Sequence, residues 1–301
     1  MFEEKFKFIV KPPSKKEYQR ETFLFKKEFN IDEEFTEKNG PRSASELVKK
    51  AILQGFKRII FIGGDGTINQ GINGIMQFGK RKILEEVTVG IIPMGTGNDF
   101  SRGLGIPKDI KGAFEVIKCN KTVSVDIGRI DDRYFVNVAS FGFDAKVTSL
   151  VNSFREKCQF FPSKLSYLFI ALREVFTKFC FYDIGIEAEN MHLRDKMVLL
   201  AITNTPTYGA IFKINPGADF RDGVFDVCWI NNLSKIKVLW YIPKVIAGKH
   251  INLPEVKTLK TSSLKVFSSH PLICEVDGEV LNPRKEYKIE VLPRAINFLV
   301  P

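Results

Sequence analysis

The chain has 301 residues, 44% of them hydrophobic and 27% charged, an ordinary globular composition large enough for two cores. Forty-five Lys and Arg against 35 Asp and Glu give a formal charge of +10, which suits an anionic partner (nucleotide, nucleic acid or acidic membrane surface) without choosing among them. With no apolar stretch of about 18 residues and no signal-peptide pattern in Met1-Phe2-Glu3-Glu4-Lys5, a cytoplasmic, non-spanning protein is expected. Cys119, Cys158, Cys180, Cys228 and Cys274 are odd in number and widely spaced, so they read as reduced packing residues; His192, His250 and His270 stand alone and take no role.

Phe6 to Val10 reads as the first strand, ending at Lys11-Pro12-Pro13-Ser14, where Lys11, Lys15 and Lys16 either meet phosphate by charge or form an exposed basic turn. Phe23 to Phe29 is a mixed apolar and basic stretch. Ser43-Ala44-Ser45-Glu46 has capping-box spacing, and Ala44, Leu47, Val48, Ala51 and Ile52 give helical periodicity up to Gly55. Ile59 to Ile62 is a buried strand running into Gly63-Gly64-Asp65-Gly66-Thr67. Three glycines in four residues bare backbone N–H groups, and Thr67 is expected to cap a helix with an apolar face of Ile68, Ile72, Ile75 and Met76, its positive end toward the loop. Asp65 would repel a bare phosphate, so it points to a metal–nucleotide complex.

Val87 to Ile92 repeats the pattern: a strand ended by Pro93 opens into Met94-Gly95-Thr96-Gly97-Asn98-Asp99-Phe100. Parallel strands would bring both loops to one carboxyl edge, where α/β crevices bind ligands. Asn98 or Asp99 can also cap the helix that follows. Ile110, Ala113, Phe114 and Ile117 mark another helix, which ends before Val123-Ser124-Val125-Asp126-Ile127-Gly128. Beyond it come short strand-like runs at Tyr134–Val138, Asp183–Ala188, Lys196–Thr203, Val224–Ile230, Leu264–Phe267, Leu272–Val276 and Tyr287–Leu292, the spacing of a β-sandwich. One helix interrupts them between Ser163 and Phe181, with Leu165, Leu168, Phe169, Leu172, Val175, Phe176 and Phe179 as its apolar stripe and Phe160 and Phe161 before it; the stripe faces either the core or a membrane.

Gly63 to Thr67 with the Gly-Thr-Gly-Asn-Asp run at 95–99 resembles the diacylglycerol kinase catalytic domain family, which includes bacterial soluble lipid kinases and eukaryotic sphingosine kinases. The first loop alone also resembles NAD kinases, which are not expected to carry the second. The resemblance implies a Rossmann-like α/β nucleotide domain of the NAD kinase/diacylglycerol kinase type over 1–128 and a β-rich sandwich for the lipid over 129–294, with 295–301 returning to the first. It implies ATP and Mg²⁺ as cofactors, with nucleotide contacts from Thr36, Gly63, Gly64, Asp65, Gly66, Thr67, Asn69, Gly95, Thr96, Asn98 and Asp99. The stretch 215–227 resembles the family's metal turn, which places Asp222 (side chain) with Asp219 and Val224 (backbone carbonyls) on a structural Mg²⁺. Glu275-Val276-Asp277-Gly278-Glu279 resembles its Asp-Gly-Glu element, with Glu279 as the base on the acceptor hydroxyl, Asp277 as its helper and Asp65 as the third catalytic carboxylate. Each Asp-Gly is also an ordinary turn signal. The first loop departs from the family's Asn-Pro-x-Ser-Gly, Lys11 and Lys15 replacing Asn and Gly, which leaves its nucleotide contact open.

The expected activity is therefore transfer of a phosphoryl group from ATP to a lipid hydroxyl, diacylglycerol first, with a sphingoid base, phosphatidylglycerol or another lipid alcohol as alternatives, then NAD kinase, then a sensor that binds without turnover. The expected partners are a lipid at the membrane surface, through peripheral contact at the inner face, and no nucleic acid, since a basic stripe with interleaved aromatics is absent from the sequence. A homodimer is left open.

Overall fold

The computed structural model describes residues 5–11, 31–37, 40–79, 81–157, 163–189, 191–209, 211–231 and 233–301. Lys15, Lys16, the 23–29 stretch, Phe160, Phe161 and Cys158 lie outside them. The chain divides into two compact units, one of residues 1–126 with 294–301 and one of residues 127–293.

In the first unit β1 (Phe6–Val10) lies between β2 (Ile31–Phe35) and β3 (Arg58–Gly63), with β4 (Thr88–Pro93) beyond β3, all parallel. Asn297 and Phe298 add a parallel segment beside β4. Every residue of β1 and β4 is buried, the continuous burial of a parallel sheet covered on both faces. The helices are α1 (Ala44–Leu53), α2 (Asp65–Phe78), α3 (Arg81–Glu86), α4 (Asp99–Gly103) and α5 (Ile110–Cys119). Ser43 caps α1 through the Glu46 N–H, and all five predicted apolar positions of that helix are buried. Ile68, Ile72, Ile75 and Met76 of α2 are likewise buried, each such side chain stabilising the fold by about 1.5–3 kcal/mol. The chain leaves this unit along β5 (Thr122–Ile130), where Asp126, fully buried, accepts the N–H of the returning Arg294 at 2.7 Å.

The second unit continues through β6 (Arg133–Phe135), β7 (Val138–Gly142), α6 (Phe143–Lys157), α7 (Ser163–Thr177), β8 (Tyr182–Ala188), β9 (Met191–Thr203), β10 (Phe225–Asn231), α8 (Lys235–Ile246), β11 (Val256–Thr261), β12 (Ser263–Val276) and β13 (Glu279–Leu299), whose end lies in the first unit. β8 pairs with the early halves of β9 and β12 and β7 with their late halves, all antiparallel, so the sheet closes on itself. Alternation splits the side chains between two cores. Met197, Leu200, Ile202, Phe225, Val227 and Trp229 fill the inside of the closed sheet. Val198, Ala201, Cys228 and Ile230 turn outward to α6, α7 and α8.

The paired short runs predicted at 264–276 and 287–300 are each one long strand, bent by register shifts in β12 and by Arg294 at φ +51° in β13. Helices α6 and α8 and strand β11 were not legible as separate elements. In α7 the buried residues include Ile170, Ala171 and Val175, whereas Phe169 and Phe176 of the predicted stripe face solvent. Cys119 and Cys180 are exposed rather than packed, while Cys228 and Cys274 are buried free thiols.

Candidate active site

The carboxyl ends of the parallel strands align. Val10 is level with Phe35 and Ile62, and Ile62 with Ile92. Thr36 and Lys11 continue the ladder, the Thr36 N–H donating to Val10 O at 2.8 Å and the Lys11 N–H to Ile62 O at 2.9 Å. The two glycine loops, 63–67 and 95–99, touch through their backbones at this edge. A Cβ built on Gly95 would stand 2.4 Å from Gly64 Cα, and one on Gly64 2.8 Å from Gly95 Cα, so only glycine fits either position. Two hydrogen bonds tie the loops: Met94 N–H to Gly63 O at 2.8 Å, and Phe100 N–H to Asp65 Oδ1 at 3.1 Å.

Thr67 does not cap α2. The helix starts two residues earlier, with Gly64 as N-cap and no side-chain cap, and the Thr67 N–H donates to Gly64 O at 2.9 Å. Its side chain instead covers Gly63, where a Cβ would meet Thr67 Oγ1 at 2.5 Å. Without a capping side chain the first N–H groups of α2 stay available to an anion. Gly66 and Thr96 are exposed at the loop tips, and Gly64 and Asp65 are half-buried.

Asn98 sits at φ +52° and closes its own loop, accepting the Gly95 N–H and donating to Gly95 O, both at 2.9 Å. Asn98 is thus the N-cap of α4 by position, but its amide braces Gly95 rather than the helix. Asp99 is buried and paired with Arg102. Asn69 is buried within α2, where the Asn73 amide donates to its carbonyl and side-chain oxygens.

In the second unit the predicted metal turn pairs its carboxylates with basic side chains. Asp219 makes a fork with Arg221 at 2.8 and 2.9 Å, and its carbonyl accepts the Asp222 N–H. That guanidinium holds the Asp219 carboxyl below its usual range. Asp222 accepts the Val224 N–H at 3.2 Å and Lys260 Nζ at 2.9 Å. Asp222, the one side-chain ligand expected here, is thus engaged by Lys260, and among the described residues no group of three His, Cys, Asp or Glu could hold a metal ion.

The turn between β12 and β13 is built differently. Asp277 stands at φ +47° and Gly278 at φ +90°, and the Asp277 carboxylate accepts the N–H groups of Val136, Asn137 and Val138 at 2.8, 2.9 and 2.9 Å. Glu279, half-exposed, pairs with Arg133. Behind the turn lies a cluster missed in the sequence. Ser140 Oγ is 2.6 Å from Asp144 Oδ2 and 2.9 Å from Glu275 Oε1, Tyr208 Oη is 2.8 Å from Asp144 Oδ2, and Glu275 Oε2 accepts the Gly278 N–H at 2.8 Å. Burial, with Asp144 close by, pushes the Glu275 carboxyl well above its usual range; burial also raises Asp144. Asp144 and Tyr208 border an apolar cavity of about 90 Å³ walled by Phe143, Leu168, Val198, Phe212 and Tyr241. Glu275 was visible as the residue that opens the 275–279 stretch at the end of an apolar strand, a position that by itself assigns it no role.

Residues 5–130 match the model of the diacylglycerol kinase catalytic domain, and 137–300 that of the YegS C-terminal NAD kinase beta sandwich-like domain. The chain belongs to the diacylglycerol kinase catalytic domain family. Relatives named diacylglycerol kinase include proteins of Staphylococcus carnosus, 31% identical over 77% of this chain and 72% of the relative, and Staphylococcus saprophyticus, 30% identical over 91% and 88%. A diacylglycerol kinase crystal structure from Bacillus anthracis superimposes with a TM-score of 0.75 over 99% of this chain and 97% of that one at 20% identity, a likeness of fold. Members of this lipid kinase family take ATP as phosphoryl donor. Among the described residues no helix is long and apolar enough to cross a membrane.

Proposed function

We propose that the protein transfers the γ-phosphoryl group of ATP to a lipid hydroxyl, with diacylglycerol as acceptor and phosphatidic acid as product. The observation that carries this reading is the backbone contact between Gly64 and Gly95, which leaves amides at the strand ends uncovered by side chains. The start of α2 would hold the phosphates by N–H donation and by its positive end. Magnesium would enter with the nucleotide as part of the substrate, shielding Asp65 from the phosphates. The metal turn at 219–224 carries no step. Glu279 would take the proton of the acceptor hydroxyl, held through its turn by Asp277. The apolar cavity of the second unit suits an acyl chain.

Contact with the bilayer fits α7 and α8. Ile236, Trp240 and Pro243 form an exposed apolar stripe on α8 at i, i+4 and i+7, opposite the buried Val238, Tyr241 and Val245. Phe169 and Phe176 are exposed on α7, and Lys235 bridges the helices by donating to Phe176 O. A tryptophan stacked under Lys244 and flanked by further lysines is the composition of an interfacial helix on anionic lipid.

Labelled ATP incubated with mixed vesicles of diacylglycerol, sphingoid base and phosphatidylglycerol tests the reading, followed by separation of the labelled lipids. Label in phosphatidic acid is the expected result, abolished in Asp65→Asn. Label in a different lipid would replace the acceptor, and full activity of Asp65→Asn would remove the assignment of that carboxylate.

A further inference from the structure

The hydroxyl of Ser140 carries one proton yet lies within hydrogen-bond distance of two carboxyl groups, Asp144 Oδ2 and Glu275 Oε1. It can donate to only one of them, so the other contact is a hydrogen bond only if that carboxyl is itself protonated and donates to Ser140 Oγ. Tyr208 decides the direction. Its phenol has only Asp144 Oδ2 to donate to in this cluster, and an ionised carboxylate oxygen takes that second bond beside Ser140 far better than the hydroxyl oxygen of a protonated acid would, which puts the negative charge on Asp144. The Ser140 proton then also points to Asp144, and the remaining proton belongs on Glu275 Oε1. The far oxygen, Glu275 Oε2, is left as a carbonyl acceptor, and it receives the Gly278 N–H at 2.8 Å. Each contact in the chain Gly278–Glu275–Ser140–Asp144–Tyr208 thereby has one donor and one acceptor.

We propose that Glu275 works as a neutral carboxylic acid and, with Ser140, is a positioning residue that holds the Asp277–Gly278 turn and so the Glu279 carboxylate beside it. Three observations support the assignment. Glu275 and Ser140 are 2% and 0% exposed, too dry for solvent to supply the missing proton partner. The groups facing Glu275 are the carboxylates of Asp144 from α6 and Asp277 from its own turn, the phenol of Tyr208 from the loop after β9, and the thiol of Cys274 beside it in β12, a set that disfavours a further negative charge. Finally, Gly278 is held from both sides, its N–H by Glu275 and its carbonyl by Asn152 Nδ2 at 2.9 Å, so loss of one hold loosens the Gly278 end of a turn whose φ values are both positive, while Asp277 anchors the other end. Glutamine reproduces the protonated acid: its amide N–H can donate to Ser140 and its oxygen can accept from Gly278. Alanine reproduces neither.

The proposal rests on the lipid kinase reading only for its effect on turnover; the protonation state stands apart and is measured apart. Infrared difference spectra of the full chain at neutral pH should show the carbonyl stretch of a protonated carboxylic acid that vanishes in Glu275→Gln and persists in Asp144→Asn. In the kinase assay Glu275→Gln should keep wild-type kcat at neutral pH and lose the alkaline fall of the wild-type profile. Ser140→Ala should lower kcat by about tenfold to a hundredfold with the KM for ATP unchanged. A band that survives in Glu275→Gln, or a Glu275→Gln pH profile that coincides with the wild type, overturns the proposal. Glu279→Gln reports on the base assignment separately, since it should abolish turnover and leave the infrared band in place.

Discussion

The glycine loops of the first unit and the carboxylate turn of the second solve the same problem, holding a strand-end loop still, with opposite materials. At 63–67 and 95–99 the rigidity comes from absence: two backbones meet because neither Gly64 nor Gly95 has a side chain, and the Asn98 amide braces what remains. At 275–279 it comes from side chains, each oxygen of Asp277 and Glu275 assigned to a donor or to Ser140. The first device leaves amides bare for a ligand, while the second consumes them. A substitution that adds atoms should therefore break the first, and one that removes atoms should break the second.

The largest effect is expected from Gly95→Ala. Its Cβ would lie 2.4 Å from Gly64 Cα and 2.7 Å from Asn98 Oδ1, so the loops must part; turnover should fall by about a hundredfold or more, with weakened ATP binding by calorimetry. Gly66→Ala sharpens the point, because nothing lies within 4 Å of a Cβ there. That variant should melt as the wild type does and still show a raised KM for ATP if phosphate approaches the bare backbone. Next comes Asp277→Ala, which strands three buried N–H groups and should destabilise by about 3 kcal/mol or more in urea titrations.

The pH dependence of stability follows from Glu275. Its carboxyl is raised above the ordinary glutamate value of 4.5 by burial and by Asp144, so the folded state keeps a proton that the unfolded chain releases. That contribution is complete below about pH 4.5 and is lost as pH rises toward the folded-state value, at up to about 1.4 kcal/mol per pH unit. Urea midpoints measured from pH 5 upward should decline less steeply in Glu275→Gln than in the wild type. The smallest effect should be that of Asp222→Ala, at most about 1 kcal/mol, since its partner Lys260 is half-exposed. A loss near that of Asp277→Ala would show that the two Asp-Gly turns are alike after all.

Those two turns also show what the sequence can reveal. Asp222-Gly223 and Asp277-Gly278 are indistinguishable as dipeptides, and their difference lies in partners far along the chain, Lys260 for one and residues 136–138 for the other. The two glycine loops were legible because strand, glycines and helix are contiguous in the sequence. Thr67 was misassigned as a cap because capping preference is a tendency of residue type, while the start of α2 is set by Gly64. Ser140, Asp144, Tyr208 and Glu275 come from two strands, a helix and a loop, and neither spacing nor composition joins them before the sheet closes.

Phe298 carries a consequence for how the molecule is made. It packs edge-on against Phe100, one residue beyond Asp99, with ring centroids 5.0 Å apart, and its strand lies beside β4. This segment leaves the ribosome only after all of residues 127–293, so the nascent first unit must wait, its Phe100 ring and the outer edge of β4 uncovered, while the second is synthesised. A fragment ending at Asp126 should accordingly be aggregation-prone, and fusing residues 294–301 to it through a short linker should restore its solubility.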